Sequence, residues 1–187
     1  MINDIVHEID CLLKEKQKVV IAIDGQSTSG KTTLAHELSN KYAAPIIHMD
    51  DYFLRKEQRT ESRLSEVGGN IDYERFEDEV ISHISDHDFD IKPYNCKTFS
   101  FEPKVHIHFN RLLIIEGAYA LRNPWIKHYD LKIVLTIDEK LQIKRITLRN
   151  PHMLDRFINE WIPKENKYLI EHQVIEHADM HFHMKDI

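Results

Sequence analysis

A run of small residues between an apolar stretch and an amphipathic stretch has the clearest chemical potential in the sequence. Residues 18–24 read KVVIAID, and the next eight, GQSTSGKT, fit the pattern G-x-x-x-x-G-K-S/T. Backbone N–H groups in such a loop form a nest, and the following helix N-terminus adds partial positive charge. Lys31 can reach the outer phosphates of a bound polyphosphate, and the Thr32 hydroxyl can bind the accompanying Mg²⁺.

This loop therefore predicts a site for a nucleoside triphosphate, with ATP as the first candidate. The alternative is a Gly/Ser-rich turn with a helix cap at Ser29, but a strand before the loop and a helix after it favour phosphate binding. The predicted nucleotide-binding residues are Gly25, Ser27, Thr28, Ser29, Gly30, Lys31, Thr32 and Thr33.

Two carboxylates follow the next apolar stretch, PIIHMD at residues 45–50. Ligands of parallel α/β sheets bind at the carboxyl ends of strands, which places Asp50 and Asp51 beside the predicted phosphate loop. An aspartate there can accept the proton of a hydroxyl that attacks the γ-phosphorus, a contribution of typically ~10²–10⁴-fold. We assign this role to Asp50 rather than Asp51. The competing interpretation is an exposed turn or a helix cap.

Other classes of phosphate-loop protein fit the sequence poorly. A GTPase would normally show D-x-x-G and N-K-x-D, whereas residues 166–169 read NKYL and lack the closing Asp. Residues 64–70, LSEVGGN, have the wrong order for a transporter ATPase. A small P-loop kinase remains.

Arginines downstream could stabilise a moving phosphoryl group. Arg145 and Arg149 are four residues apart and share a face if the segment is helical, and Arg156 follows the Asn150-Pro151 break. Guanidinium groups suit the negative charge that spreads during phosphoryl transfer. The alternative is a solvated basic helix end, favourable to the helix dipole.

The elements that must position these residues alternate between strands and helices. Predicted buried strands cover residues 18–24, 45–50, 111–117 and 131–138, with a weaker fifth at 180–184. Helical stripes are Leu34, Leu38 and Tyr42, then Tyr73, Phe76, Val80 and Ile84, and Pro163 suits the first turn of a late helix. We predict an α/β P-loop kinase fold: a five-stranded parallel sheet flanked by helices.

Two further segments complete the predicted single domain, residues 1–187. Residues 1–17 form an amphipathic helix through Ile5, Ile9 and Leu12, and they are too charged for a signal peptide. In residues 88–109, Val105, Ile107 and Phe109 alternate with polar residues, as in a half-exposed strand or hairpin on the substrate side.

Composition narrows the class of protein. The net charge of −6 argues against nucleic-acid partners and anionic membranes. No stretch approaches the ~20 apolar residues of a membrane span. Cys11 and Cys96 lack C-x-x-C spacing, which predicts reduced thiols in a cytoplasmic protein. The thirteen histidines lack the ligand spacing of a zinc site, so Mg²⁺ is the expected metal.

The motifs IAIDGQSTSGKTT, HMDDYF, GGNIDYERF, LLIIEGAY and KRITLRN, taken together, resemble the uridine kinase family. Its wider group includes phosphoribulokinase and nicotinamide riboside kinase. The resemblance implies that Asp50 is the base, that Asp72 binds acceptor hydroxyls and that a lid, residues 145–160, carries the arginines. It also implies that Glu116 helps to hold Mg²⁺, which agrees with a lone carboxylate at the end of the buried run RLLIIEG. Asp72 could equally be a helix N-cap, and Glu116 a capped strand end.

The resemblance weakens at the acceptor. Tyr94 matches the family, but Phe99 stands where uridine kinases carry the His that contacts the pyrimidine, and Asn95 replaces an Asp. Tyr94, Phe99, Asp72 and Arg156 are the predicted substrate-binding residues. We expect a small-molecule acceptor, most readily a nucleoside. Because the base-reading residues differ from those of uridine kinases, the acceptor could be a nucleoside other than uridine, a nicotinamide riboside-like compound, a vitamin alcohol or a sugar phosphate. A non-catalytic nucleotide sensor is the rival from another class. Relatives are often oligomers, so the resemblance also suggests a possible homo-oligomer.

Overall fold

The computed structural model describes residues 1–185, which form an α/β structure around a parallel sheet. Five strands lie in the order β2-β7-β1-β8-β9, and every pairing in this sheet is parallel. The described residues contain nine strands: β1 Val19–Gly25, β2 Ile46–His48, β3 Asp88–Ile91, β4 Tyr94–Asn95, β5 Ser100–Phe101, β6 Val105–His108, β7 Leu112–Glu116, β8 Leu131–Ile137 and β9 Met180–Met184. The predicted fold class is confirmed.

Seven α-helices lie within residues 1–185: α1 Ile2–Glu15, α2 Lys31–Tyr42, α3 Glu61–Ser65, α4 Tyr73–Glu79, α5 Glu139–Arg149, α6 Leu154–Arg156 and α7 Ile162–Glu171. A π-helical turn, Phe157–Trp161, joins α6 to α7. Short 3₁₀ turns occupy Met49–Tyr52, Lys56–Gln58, Ile81–His83, Trp125–His128 and Pro151–Met153. Pro163 lies in the first turn of α7, as predicted from its missing N–H donor.

The central strands are rich in β-branched residues and buried along their whole length, as expected for a sheet that is covered on both faces. On one face, α1 and α2 pack through Ile5, Ile9, Leu34 and Leu38. The opposite face carries a second core that includes Phe76, Trp125 and Tyr168. The predicted N-terminal helix is confirmed: Ile5 and Ile9 are fully buried, and Leu12 is half-buried.

Two predicted elements differ in extent. The second strand ends at His48, so Asp50 lies in the 3₁₀ turn Met49–Tyr52 rather than in the strand. The helical stripe from Tyr73 stops at Glu79, where the Ser82 hydroxyl donates to the carbonyl oxygen of Glu77 at 2.9 Å and a 3₁₀ turn follows. Val80 and Ile84 remain buried beyond the end of the helix.

Residues 88–108 form two nested antiparallel pairs, β3 with β6 and β4 with β5. The predicted hairpin is thus confirmed, but its alternation is incomplete. Ile107 and Phe109 are buried, whereas Val105, the first residue of β6, is 43% exposed. No helix within residues 1–185 has the length and apolar character needed to span a bilayer.

Candidate active site

The loop between β1 and α2 has the backbone conformation that its glycines allow. Gly25 and Gly30 have φ of +135° and +108°, values that favour glycine, and Thr28 also has a positive φ of +61°. A Cβ on Gly25 would overlap the Leu135 carbonyl oxygen of β8, because β1 and β8 are adjacent there. The close approach of two parallel strands explains the first glycine of the motif, and Gly30 is the N-cap of α2.

Lys31 and Ser29 lie at the inner side of this loop. The Lys31 ammonium is buried and donates to the carbonyl oxygens of Gly25 at 2.8 Å and Gln26 at 2.9 Å. The side-chain oxygens of Ser29 and Thr28 are buried and have no hydrogen-bond partner among residues 1–185. Buried polar atoms normally have partners, so these atoms fit a loop shaped for an additional polar group.

The carboxylate that ends β7 faces the helix after the loop. Glu116 is 5% exposed, and both of its carboxylate oxygens lie 3.3 Å from the Thr32 hydroxyl. His48, its register partner on β2, places Nδ1 2.6 Å from Oε1 of Glu116. This hydrogen bond raises the pKa of His48 above its ordinary value, which favours an imidazolium beside the carboxylate.

Thr32 and Glu116 offer the oxygen ligands that Mg²⁺ prefers, and their separation lets both reach one ion. Mg²⁺ is usually held by one or two carboxylates together with substrate phosphates rather than by a cage of protein ligands alone. Within residues 1–185, no group of three or more His, Cys, Asp or Glu side chains is arranged to hold a metal ion. The predicted pair therefore fits the metal by donor type and distance.

Asp50 lines a cavity and lies near enough to Glu116 for their charges to interact. Its side chain is accessible to solvent, yet many protein atoms surround it. This crowding, with the charge of Glu116, raises the pKa of Asp50, and the positive charges of Lys31, His48 and Arg149 act in the opposite direction. Partial desolvation also raises the pKa of Asp51. A raised pKa is typical of a carboxylate that exchanges a proton during catalysis.

The three predicted arginines have different environments. Arg145 donates to the carbonyl oxygen of Thr28 at 2.9 Å, so it contacts the phosphate loop directly. Arg149 is exposed at the end of α5, near enough to influence the pKa of Asp50. Arg156 instead pairs with Glu160 at 3.0 Å, and its guanidinium lies over the Trp161 ring. The structure thus brings Arg145 to the phosphate loop and Arg149 near Asp50, whereas Arg156 lies at the surface of its own segment.

A cavity of about 290 Å³ opens next to Asp50. Its lining includes Asp50, Asp51, Phe53, Tyr94, Lys97 and Glu102. Tyr94 is 4% exposed and packs edge-on against Phe101, with ring centroids 5.4 Å apart. Phe99 lies outside this lining: it is 56% exposed in the β4–β5 turn with φ of +55°. The structure therefore places Tyr94 at the cavity and not Phe99, because the tight turn directs Phe99 into solvent.

Asp72 has the helix-cap geometry that the sequence allowed. It precedes α4, and its Oδ1 accepts from the Arg75 backbone N–H at 3.2 Å. Oδ2 accepts from Gln58 Nε2 at 3.0 Å. The side chain is almost fully buried, and the guanidinium groups of Arg55 and Arg75 lie 4.0 and 3.7 Å from the same Oδ2.

Two further buried carboxylates, Asp24 and Glu165, were not among the predicted site residues. Asp24, the last carboxylate of β1, accepts from the backbone N–H of Leu121 at 2.8 Å and from the Tyr168 hydroxyl at 2.7 Å. Burial raises the pKa of Asp24, and these hydrogen bonds act against that rise. Glu165 of α7 accepts from the Ser27 backbone N–H at 2.8 Å. Asp24 carried the same signal as Glu116, a charge ending a buried run, whereas nothing local in the sequence marked Glu165.

Comparison with known proteins agrees with this geometry. The model of the Phosphoribulokinase / Uridine kinase family matches residues 20–156. The chain belongs to this family. It is an ATP-dependent kinase with a P-loop, as predicted from the motifs. The matched residues include the phosphate loop, Asp50, Glu116 and the three predicted arginines.

Individual relatives are similar at modest identity. A uridine kinase of Clostridium botulinum (strain Okra / Type B1) is 28% identical over 171 residues, which cover 82% of this chain and 78% of the relative. A uridine kinase of Lactobacillus helveticus (strain DPC 4571) is 25% identical over 178 residues, covering 83% and 82%.

Two solved structures share the fold. The structure of "a Possible Uridine Kinase from Bacillus stearothermophilus" has a TM-score of 0.69 at 24% identity, covering 96% of this chain and 99% of that one. Phosphoribulokinase from Rhodobacter spheroides has a TM-score of 0.63 at 13% identity, covering 89% and 70%.

Proposed function

We propose that the protein transfers the γ-phosphoryl group of Mg·ATP to a hydroxyl of a small metabolite, most readily a nucleoside. The observation that carries the proposal is the convergence of Lys31, Thr32, Glu116 and Asp50 at the carboxyl edge of the sheet. The uridine kinase relatives support the choice of a nucleoside. A pure nucleotide sensor would have no use for a carboxylate beside the phosphate site.

Each of these residues has a distinct task. The loop amides and Lys31 bind the triphosphate, and Asp50 accepts the proton of the attacking hydroxyl. Mg²⁺ held by Thr32 and Glu116 would neutralise charge on the phosphate oxygens. Arg145 and Arg149 add positive charge where the phosphoryl group moves.

The cavity beside Asp50 carries charges of both signs. Its lining includes Asp50, Asp51 and Glu102, and Lys97 is a basic member of the same lining. The positive charges of Lys31, His48 and Arg149 also act on Asp50. The preference for a nucleoside over a sugar phosphate therefore rests on the uridine kinase relatives.

Replacement of the base tests the reaction. We expect Asp50→Asn to lower kcat by at least ~10²-fold, the lower range for a general base. Nucleotide affinity, measured by calorimetry with a nonhydrolysable ATP analogue, should persist. Asp51→Asn is the matched control, with a much smaller loss. Near-normal turnover of Asp50→Asn would remove Asp50 from the proposed role.

An acceptor panel tests the substrate class. ADP release with Mg·ATP would be measured across nucleosides, vitamin alcohols and sugar phosphates. We expect turnover with an uncharged alcohol. Turnover with a sugar phosphate alone would contradict the proposed nucleoside acceptor, and ATP binding without any turnover would favour a sensor. Cys11 and Cys96 are free thiols, consistent with the proposed cytoplasmic location.

A further inference from the structure

A carboxylate of α7 holds the phosphate loop from outside. Glu165 accepts from both donors of Ser27, its backbone N–H at 2.8 Å and its hydroxyl. The residue is 6% exposed, and both carboxylate oxygens are used in this pair of bonds. Charge-assisted hydrogen bonds of this kind are roughly twice as strong as neutral ones. The next residue along the helix, Asn166, accepts from Gln26 Nε2 at 2.8 Å.

The loop needs such support because one of its residues is strained. Thr28 has φ of +61°, a conformation that costs a β-branched residue energy and persists only when its surroundings fix it. The carbonyl oxygens of Ser27 and Thr28 accept from Gln142 Nε2 at 3.1 Å and from Arg145 at 2.9 Å. These bonds come from α5, and the bonds to the Ser27 donors come from α7. The loop is thus fixed by distant parts of the chain.

We propose that Glu165 is a positioning residue that holds the phosphate loop in its binding conformation before the nucleotide arrives. The ligand named here, ATP, rests on the proposed function. A loop that is already ordered loses less conformational entropy when it binds, so the effect should fall on nucleotide affinity. Acceptor binding, at the other side of Asp50, should change little.

An opposite effect of the same carboxylate can be separated by experiment. The charge of Glu165 interacts with that of Lys31, and a negative charge near a triphosphate could weaken binding. Glu165→Gln removes the charge but keeps an oxygen for the Ser27 N–H, while its amide can donate to the Ser27 hydroxyl oxygen. Glu165→Ala removes both bonds. Positioning therefore predicts that Gln rescues what Ala loses.

The first measurement needs no nucleotide. Amide hydrogen exchange of residues 26–30 would be compared in the ligand-free wild type, Glu165→Ala, Glu165→Gln and Ser27→Ala. We expect fast exchange in Glu165→Ala, near-normal exchange in Glu165→Gln and intermediate exchange in Ser27→Ala, which keeps the backbone bond. Glu171→Ala is the matched control on α7, where the exposed Glu171 pairs with Lys167. Unchanged exchange in Glu165→Ala would overturn the proposal. If this variant does not fold, unchanged exchange in Ser27→Ala would do so.

The second measurement uses a nonhydrolysable Mg·ATP analogue and calorimetry. We expect Glu165→Ala to weaken binding by about 10- to 100-fold, the size expected for one or two charge-assisted hydrogen bonds, with the acceptor KM unchanged. Tighter binding by both Glu165→Ala and Glu165→Gln would show that the charge repels nucleotide and would overturn positioning. Failure of the wild type to bind nucleotide would refute the proposed function, while exchange in the ligand-free protein would still decide the role of Glu165.

Discussion

His106 and His108 lie opposite Asp90 and Asp88 across β3 and β6. The His108 Nδ1 is 2.5 Å from Asp88, and the His106 Nδ1 is 2.9 Å from Asp90. Hydrogen bonds to these carboxylates raise the pKa of both imidazoles, and the same bonds lower the pKa of Asp88 and Asp90. All four groups are exposed, so solvent screens the pairs.

We predict that Asp88→Asn returns the pKa of His108 towards its ordinary value. NMR titration of the imidazole protons would measure this shift, with Asp90→Asn as the control that acts mainly on His106. The direction of the pH dependence follows from these shifts. The raised histidine pKa contributes stability to the fold below about pH 6.5, and this contribution is lost as the pH rises through the folded-state pKa. The lowered aspartate pKa contributes stability above about pH 3.9, and this contribution is lost as the pH falls through the folded-state pKa. An unshifted His108 in the wild type would contradict the prediction.

The residues of the site differ in how well the sequence predicts them. Lys31, Thr32 and Asp50 stand in or beside a motif whose mechanism demands a strand, a loop and a helix, so their grouping followed from local pattern. Glu165 accepts a hydrogen bond from Ser27, which is 138 residues away in sequence, and His48 is hydrogen-bonded to Glu116, which is 68 residues away. Such partners depend on the packing of whole elements, and no periodicity within a short window contains them.

At the scale of elements, the end of β1 limits what can replace the first glycine of the loop. We predict that Gly25→Ala lowers the free energy of unfolding by about 3 kcal/mol or more, through positive-φ strain and overlap with the Leu135 carbonyl. Urea denaturation would measure the loss. Gly30→Ala is the control: its φ of +108° is strained too, but the space around it is open.

For Gly30→Ala, strain alone predicts a cost of about 1–2 kcal/mol. Equal losses for the two variants would show that the approach of β8 to β1 contributes nothing. The comparison isolates strand packing from backbone strain, because both glycines have positive φ and only Gly25 meets a neighbouring strand.

Element boundaries were less predictable than element types. Four of the five parallel strands followed from apolar runs, and the weaker fifth, β9, has the predicted bounds, 180–184, although it alternates between half-buried and exposed residues. The predicted helix from Tyr73 extends past the observed end at Glu79, because the apolar stripe continues through a 3₁₀ turn and Val80 and Ile84 are still buried. Burial maintains the stripe in either conformation, so periodicity alone cannot locate the change.

At the scale of the whole molecule, α1 covers one face of the sheet. Ile9 is fully buried in the same cluster as Val19, Ile21 and Leu131. We predict that Ile9→Ala lowers the free energy of unfolding by about 2–5 kcal/mol, the range for a large-to-small core change. Thermal or urea denaturation would measure it.

Leu12→Ala is the matched control for this prediction, because Leu12 lies one turn further along α1 and is only half-buried. We expect a clearly smaller loss of stability from this variant. A loss as small for Ile9 as for Leu12 would mean that α1 is dispensable to the core.

The possible homo-oligomer stays a prediction, and analytical sedimentation would measure the oligomeric state.

Tyr168 and Glu165 lie one turn apart on α7, and they attach that helix to Asp24 before the phosphate loop and to Ser27 within it. With contacts one turn apart to both residues, α7 cannot shift along its axis or rotate about it without breaking the bonds to Asp24 and Ser27. Arg145 secures α5 in the same way through Thr28. If the segment between α5 and α7 closes over the site, its hinges must lie between these contacts. Two irregular stretches of backbone lie there, the 3₁₀ turn Pro151–Met153 and the π-helical turn Phe157–Trp161.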